Sequence, residues 1–318
     1  HSKVDPSGNI VYFAKGPRTD SAEQSGINHY GIIDAKGTVK CRTEFRCGPG
    51  APPAFLHDCF VTKDWSICID HSLRADSTKL ASTGYFQWDT SRNVRLGLFP
   101  RQGAAPKADP EWYDVGFPGF VWHCVGSSQD GDIVTCWMPI FTDDYSDVPI
   151  HLATEPHSYL YKIVLNTMTK EVLEVKKFDD IGPTERCSIN DNCIGEVEPK
   201  YAYLMMRGPQ EMYDGFVKFS LEEEKVVASV PYGHGRFGGE AFFQPRDNAN
   251  GEDDGYLIDI IYDKSTDSSE LCIWDAKLIA DSIEPVARVF TPHRIPYGVH
   301  ASFLTPKELE TQWARRDK

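Results

Sequence analysis

The chain has 318 residues and a formal net charge of −14, and its 25 glycines and 21 prolines supply many turns. This length is enough for one large β domain with a sizeable core. The acidic balance, without a concentrated basic surface, excludes nucleic acid as an expected partner, because phosphate binding needs clustered cations.

The sequence contains no apolar run of the ~18 residues that a transmembrane helix needs. Its first residues are too polar for a secretory signal. We therefore expect a cytoplasmic or plastid protein that is not secreted. A peripheral membrane contact through an amphipathic patch stays open, as does the oligomeric state.

Cysteine usage agrees with a reducing compartment. The chain has nine cysteines, an odd number, and no Cys-x-x-Cys pair. This pattern is typical of reduced thiols rather than of a disulfide framework or a zinc site. We predict free thiols at Cys41, Cys47, Cys59, Cys68, Cys124, Cys136, Cys187, Cys193 and Cys272.

Short apolar and β-branched runs separated by turns predict strands along the whole chain, and long helical periodicity is nearly absent. In chain order the predicted strands are Ile10–Phe13, Tyr30–Ile33, Thr38–Arg42, Cys59–Ile69, Gly84–Trp88, Val94–Phe99, Phe120–Val125, Ile133–Ile140, Tyr159–Leu165, Val172–Phe178, Phe216–Phe219, Lys225–Val230, Tyr256–Tyr262 and Glu270–Trp274. The predicted fold class is all-β.

Repeated antiparallel hairpins on this scale favour a β-propeller over a large β-sandwich. No domain boundary stands out, so we predict that residues 1–318 form a single propeller domain. The chain enters a strand at once and has no initiator methionine. We therefore expect it to be part of a longer protein, with a propeller that is incomplete at the N-terminus.

Four of the ten histidines lie at strand ends or beside aromatic, glycine or proline residues: His1, His57, His123 and His300. Imidazole is the commonest metal ligand, and ligands dispersed along a chain are what a site on a propeller axis requires. Their spacing fits neither a zinc finger nor an HExxH motif. On spacing alone, ordinary core or hydrogen-bonding histidines stay open as the alternative.

The residues around these histidines resemble motifs of the carotenoid cleavage oxygenase family. Residues 57–64 are similar to the family's HDFxxTxN, with Cys59 and Asp64 as departures from it. The other resembling segments are residues 1–8 (AHPKxDPxTG), 95–101 (RxGxxPR), 120–123 (FxxH), and 238–246, 252–257 and 292–300, which match the family's C-terminal third. Several motifs in order over the whole chain are far more specific than any one of them.

The resemblance implies a seven-bladed propeller, of which this chain is the C-terminal two-thirds, with a non-haem Fe(II) on its axis. Carried over residue by residue, the metal ligands are His1, His57, His123 and His300. The family's glutamates accept the other imidazole N–H and correspond to Glu240 and, more loosely, to Glu185. A surface role stays open as the alternative for both glutamates.

The resemblance also implies that O2 cleaves a carbon–carbon double bond to give two carbonyl products. The expected tunnel lining is Phe60, Trp122, Tyr297 and Phe303, with plain core as the alternative. A carotenoid or apocarotenoid is the expected substrate, and a stilbenoid of the lignostilbene or resveratrol type is the main alternative. Retinoid ester isomerisation and an inactive propeller fragment that acts as a binding scaffold are further alternatives.

Overall fold

A computed structural model describes residues 1–15, 26–48, 55–75, 86–102, 109–143, 157–208, 212–298, 300–306 and 309–310. The structure is 51% strand and 2% helix, which confirms the all-β class. Among the described residues, no helix combines the length and the apolar character that crossing a bilayer requires. All nine cysteines are free thiols, as predicted.

The described strands form five antiparallel sheets that follow one another along the chain. The first sheet contains β1 (Lys3–Val4), β2 (Ile10–Lys15), β3 (Asn28–Ile33) and β4 (Val39–Phe45), and the second contains β5 (Cys59–Val61), β6 (Trp65–Asp70), β9 (Arg95–Pro100) and β10 (Glu111–Asp114). A separate two-stranded ribbon pairs β7 (Leu73–Ala75) with β8 (Phe86–Trp88).

The remaining three sheets follow the same plan. The third contains β11 (Gly126–Asp130), β12 (Ile133–Phe141), β13 (Ser158–Asn166) and β14 (Glu171–Phe178); the fourth contains β15 (Thr184–Ser188), β16 (Tyr201–Arg207), β17 (Tyr213–Ser220) and β18 (Lys225–Pro231); the fifth contains β19 (Arg236–Phe237), β20 (Phe242–Pro245), β21 (Gly255–Asp263), β22 (Ser268–Asp275) and β23 (Ala287–Phe290). A 3-10 helix, Asp191–Cys193, follows β15.

Consecutive sheets pack face to face and share their cores. The shared cores join Tyr30 to Phe99, Ile67 to Val134, Trp137 to Phe219, and Phe216 to Trp274. Each such aromatic or aliphatic side chain contributes about 1.5–3 kcal/mol on full burial. Four-stranded antiparallel sheets that stack in chain order are the blades of a β-propeller, which confirms the predicted architecture.

Consecutive predicted strands pair as antiparallel hairpins, as expected: β13 pairs with β14, β17 with β18, and β21 with β22. The prediction of one strand over Cys59–Ile69 is wrong, because the chain turns between β5 and β6. Thr62 closes this turn, since its N–H donates to the Trp65 carbonyl (2.8 Å) and its Oγ1 accepts from the Trp65 N–H (3.1 Å).

The predicted strand Phe120–Val125 is also wrong. Only an isolated bridge between Phe120 and Phe141 is present there, and β11 begins at Gly126. The apolar run is buried because it passes between blades rather than because it joins a sheet. Residues 84 and 85 of the predicted strand Gly84–Trp88 lie outside the described residues.

Candidate metal centre

Three of the four predicted histidines occupy the same structural position in successive blades. His1 precedes β1 by two residues, His57 precedes β5 by two, and His123 precedes β11 by three. The first strands of these blades contact one another, because β5 contacts both β1 and β11. Equivalent positions in consecutive blades therefore deliver the three side chains to one place, and His300 reaches it from the segment after β23.

The four histidines form one compact cluster. One ring nitrogen from each of His1, His57, His123 and His300 lies within 4.8 Å of the other three. Five pairs of rings have centroids 4.6 to 5.1 Å apart and interplanar angles of 69 to 78°. The rings thus meet edge to face, so that one small cation between them can contact all four nitrogens.

Glutamates hold two of these rings by their Nδ1 atoms. Both carboxylate oxygens of Glu185 lie 2.8 Å from His123 Nδ1, and Glu240 Oε2 lies 3.1 Å from His300 Nδ1. When Nδ1–H donates to a carboxylate, the lone pair of the neutral ring is on Nε2. The structure therefore brings both predicted glutamates to the cluster, each on a different histidine.

His123 carries an orphaned buried nitrogen. The residue is only 9% exposed, and its Nε2 has no hydrogen-bond partner among the described residues. Burying such an atom without a partner is costly, and a metal ion at this atom would remove the cost. The four-imidazole donor set and this orphaned nitrogen fit a transition-metal ion.

The environment sets the protonation of the two more buried rings. Burial and the neighbouring His123 lower the pKa of His57 to about 4, so this imidazole is neutral at pH 7. Burial also opposes the charged form of His123, but the Glu185 carboxylate and its hydrogen bond raise the pKa of His123 above its usual value. A metal ion at His123 therefore competes with a proton for this ring.

A β-bulge aims Glu185 at His123. The pairing of β15 with β16 shifts register between Glu185 and Cys187, and Arg186 in the bulge has φ 51°. A bulge of this kind bends a strand and redirects a side chain. Arg186 also donates from Nη1 to the Gly298 carbonyl (3.2 Å), which links this strand to the segment that carries His300.

The bend before Glu240 depends on a buried carboxylate. Asp259 accepts hydrogen bonds from the Tyr232 hydroxyl (2.6 Å) and from the Gly239 N–H (3.1 Å). Burial raises the pKa of Asp259 to about 6. A Cβ atom on Gly238 would lie 2.1 Å from Asp259 Oδ2 and 2.4 Å from the Tyr232 ring, so a glycine is required there for close packing.

The Gly238→Ala variant is expected to lose about 1–3 kcal/mol of unfolding free energy, because Asp259 and Tyr232 must both move to admit the methyl group. Gly239→Ala is the matched control, since its Cβ would meet its nearest atoms at an ordinary 3.6 Å. Urea unfolding of both variants measures the difference. Equal stability of the two variants would contradict this account of the bend.

The predicted tunnel residues lie in three different surroundings. Tyr297 and Phe303 line a mostly apolar cavity of about 390 Å³ that also contacts His300. Trp122 lies edge-on to His57 with ring centroids 5.0 Å apart, in an aromatic cluster that includes Phe120. The fourth residue, Phe60, is 2% exposed and packs in the core between the second and third blades.

Sequence reasoning missed two contributors to the cluster. Phe55 stacks on His57 with ring centroids 5.5 Å apart. Partly buried Lys3 and buried Asp58 form an ion pair (2.9 Å) beside His1 and His57. Asp58 belongs to the motif at residues 57–64, but its hydrogen-bond and ion-pair partners are known only from the structure.

The cysteines next to the ligands serve as packing groups. Burial raises the pKa of Cys59 to about 12 and that of Cys124 well above its usual range, so neither thiol is ionised at neutral pH. Cys124 packs in the shared core of the second and third blades.

Comparison with known proteins identifies the family. A family model described as retinal pigment epithelial membrane protein matches residues 1–305. The chain is 29% identical over 346 aligned residues to a carotenoid 9,10(9',10')-cleavage dioxygenase of Crocus sativus. This alignment covers 100% of this chain and 59% of the relative. It is 28% identical over 338 residues to a chromoplastic zeaxanthin 7,8(7',8')-cleavage dioxygenase of the same plant, which covers 98% of this chain and 83% of that protein.

Solved structures show the same fold. Lignostilbene dioxygenase of Pseudomonas brassicacearum superposes with a TM-score of 0.80 at 21% identity, over 94% of this chain and 64% of that one. Cobalt-substituted apocarotenoid oxygenase of Synechocystis superposes with a TM-score of 0.78 at 20% identity, over 95% and 64%. The chain thus spans 59% of the first plant relative and 64% of these two structures. On the match over residues 1–305, the chain belongs to the retinal pigment epithelial membrane protein family, the family of the carotenoid cleavage oxygenases.

Proposed function

We propose that this chain is the metal-binding propeller of a non-haem Fe(II) dioxygenase. In this proposal the enzyme cleaves a carbon–carbon double bond of a carotenoid or apocarotenoid with O2 and yields two carbonyl products. The observation that carries the proposal is the convergence of four imidazoles within 4.8 Å, with the Nε2 of buried His123 unpartnered. The plant relatives' names, which specify cleavage of carotenoids, support the reaction class.

His1, His57, His123 and His300 would hold the iron in this proposal. Imidazole suits iron among the transition metals, and four ligands leave two positions of an octahedron open. When bound, ferrous iron supplies the oxygen-activating chemistry. The four ligands are neutral, so Glu185 and Glu240 offset the charge of the cation through the rings that they contact.

The protein's own part in this reaction is to bind, orient and exclude water. The cavity beside His300 is lined mostly by apolar side chains, among them Ile258, Ile260, Leu271 and Phe303. Such a surface binds a long hydrocarbon by removing it from water, and it fixes the position of the alkene relative to the histidines. No protein acid or base is needed, because the product oxygens come from O2.

A substrate panel tests the proposal. The iron-loaded chain is incubated in air with β-carotene, an apocarotenal and resveratrol, and the aldehydes are identified by mass spectrometry. We expect paired carbonyl products from a carotenoid substrate and none without O2 or iron. Cleavage of resveratrol alone would contradict the carotenoid assignment and favour a stilbenoid substrate. No product from any substrate would favour a binding scaffold.

A further inference from the structure

We propose that Asp58 is a positioning residue that anchors three of the four histidine-bearing segments, and that metal affinity depends on it. The inference rests on the proposed function, since it concerns the same metal centre. Asp58 is only 6% exposed and is the immediate neighbour of His57. Asp58 contacts none of the metal-facing ring nitrogens. It therefore influences the histidines through the chain segments that carry them.

Each oxygen of the Asp58 carboxylate holds a different histidine segment. Oδ1 accepts the N–H of Cys59 (2.8 Å), which fixes the chain directly after His57. Oδ2 accepts the N–H of Cys124 (2.7 Å), which fixes the residue after His123. One buried side chain therefore ties together two ligand segments that lie 66 residues apart in the sequence.

The same carboxylate also reaches the segment of His1 through Lys3. Lys3 Nζ lies 2.9 Å from Asp58 Oδ1 and 3.1 Å from Oδ2. Further bonds link these two segments, because the His1 backbone nitrogen donates to the His57 carbonyl (2.5 Å) and Cys59 Sγ lies 3.7 Å from the His1 carbonyl. Three ligand segments thus converge on Asp58.

Asp58 complements the two glutamates, which contact histidine rings directly. Within the part of the chain that the structure describes, the cluster rings in contact with a carboxylate are those of His123 and His300. The segments that carry His1 and His57 are bound instead by Asp58, through Lys3 and the Cys59 N–H. Glu240 combines both modes, since it accepts from the His300 ring and from the Ala301 N–H (3.3 Å).

An amide cannot replace this carboxylate. Both oxygens already accept a backbone N–H, so asparagine at position 58 would set its NH2 group against one of the two donors in either orientation. The substitution would also leave the Lys3 ammonium without its buried counter-charge. Asp58→Asn should therefore loosen the histidine segments even where the fold survives.

Cobalt(II) affinity tests this inference without relying on turnover. Co²⁺ is titrated into the wild-type chain and into Asp58→Asn with a competing chelator, and its absorption bands report the ligand geometry. We expect about 10- to 100-fold weaker binding in Asp58→Asn, the range typical of outer contacts to metal ligands. Thermal unfolding measures the stability of each variant in parallel.

Asp253→Asn is the matched control. Asp253 pairs with Lys218, a lysine whose side chain is 3% exposed, at 2.6 Å, and it lies in a different part of the propeller. This variant removes the counter-charge of a lysine that is more buried than Lys3, but it touches none of the four histidine segments. We expect it to lose stability and to keep the Co²⁺ affinity of the wild type.

A double variant, Lys3→Met with Asp58→Leu, separates the loss of anchoring of the histidine segments from the cost of leaving the Lys3 charge unpaired. This variant leaves no unpaired charge, but it still removes the acceptor of the Cys59 and Cys124 N–H groups, so we expect it to melt below the wild type and to bind Co²⁺ weakly. A folded Asp58→Asn or double variant with wild-type Co²⁺ affinity and absorption would overturn the inference. Failure of the wild type to bind Co²⁺ would instead overturn the proposed function, and the inference with it.

Discussion

Replacing His123 by alanine is expected to abolish metal binding and double-bond cleavage together. His123 is the most buried of the four cluster histidines and carries the orphaned Nε2. Its removal also leaves the Glu185 carboxylate, which is 3% exposed, without the ring that donates to it. We therefore expect iron content and product formation to fall to the level of the metal-free protein, as measured by elemental analysis and product assay on one preparation.

His29→Ala is the control for this prediction. His29 lies in β3 of the first blade, is partly buried and does not belong to the cluster. Its replacement removes an imidazole outside the cluster, so we expect the variant to keep both iron and cleavage. Retention of iron and cleavage in folded His123→Ala would contradict the assignment of this residue as a ligand.

The second large effect is expected from Glu185→Gln. The amide keeps the shape of the side chain but loses the charge that holds the His123 ring, so metal affinity should fall about 10- to 100-fold. Glu240→Gln should have a smaller effect, because Glu240 and His300 are more exposed and their contact is longer (3.1 Å). Chelator competition on both variants measures the two affinities.

Comparison of the affinity losses in Glu185→Gln and Glu240→Gln tests whether burial controls the contribution of each carboxylate. Burial strengthens a charge-assisted hydrogen bond, and both Glu185 oxygens lie at 2.8 Å from the His123 nitrogen. A loss of affinity in Glu240→Gln that equals or exceeds that of Glu185→Gln would show that burial does not control the contribution of these carboxylates.

Sequence patterns predicted the later strands of the blades better than the first strand of each blade. The hairpin of β13 and β14 was recognisable because both strands are long and a polar turn joins them. By contrast, the first strands of the blades are short, as in β1, and polar, as in β11. They carry too few alternating apolar residues to produce a period-2 signal.

The candidate site was predictable only in part, and for a similar reason. The four histidines lie far apart in the chain, so their spacing carries no signal, and only the ordered motifs around them singled them out. The contacts of Asp58 could not be predicted, because its partner N–H belongs to Cys124 in another blade. Phe120–Val125 was mistaken for a strand because burial between blades imitates the apolar pattern of a buried strand.

The most direct test of the account is the iron content of the purified, folded wild-type chain, measured together with O2-dependent cleavage of a carotenoid. The four converging imidazoles predict about one iron per chain, and removal of that iron by a chelator should stop the formation of carbonyl products. A stably folded chain that takes up no iron when Fe(II) is supplied would contradict the central claim that these histidines form a metal centre.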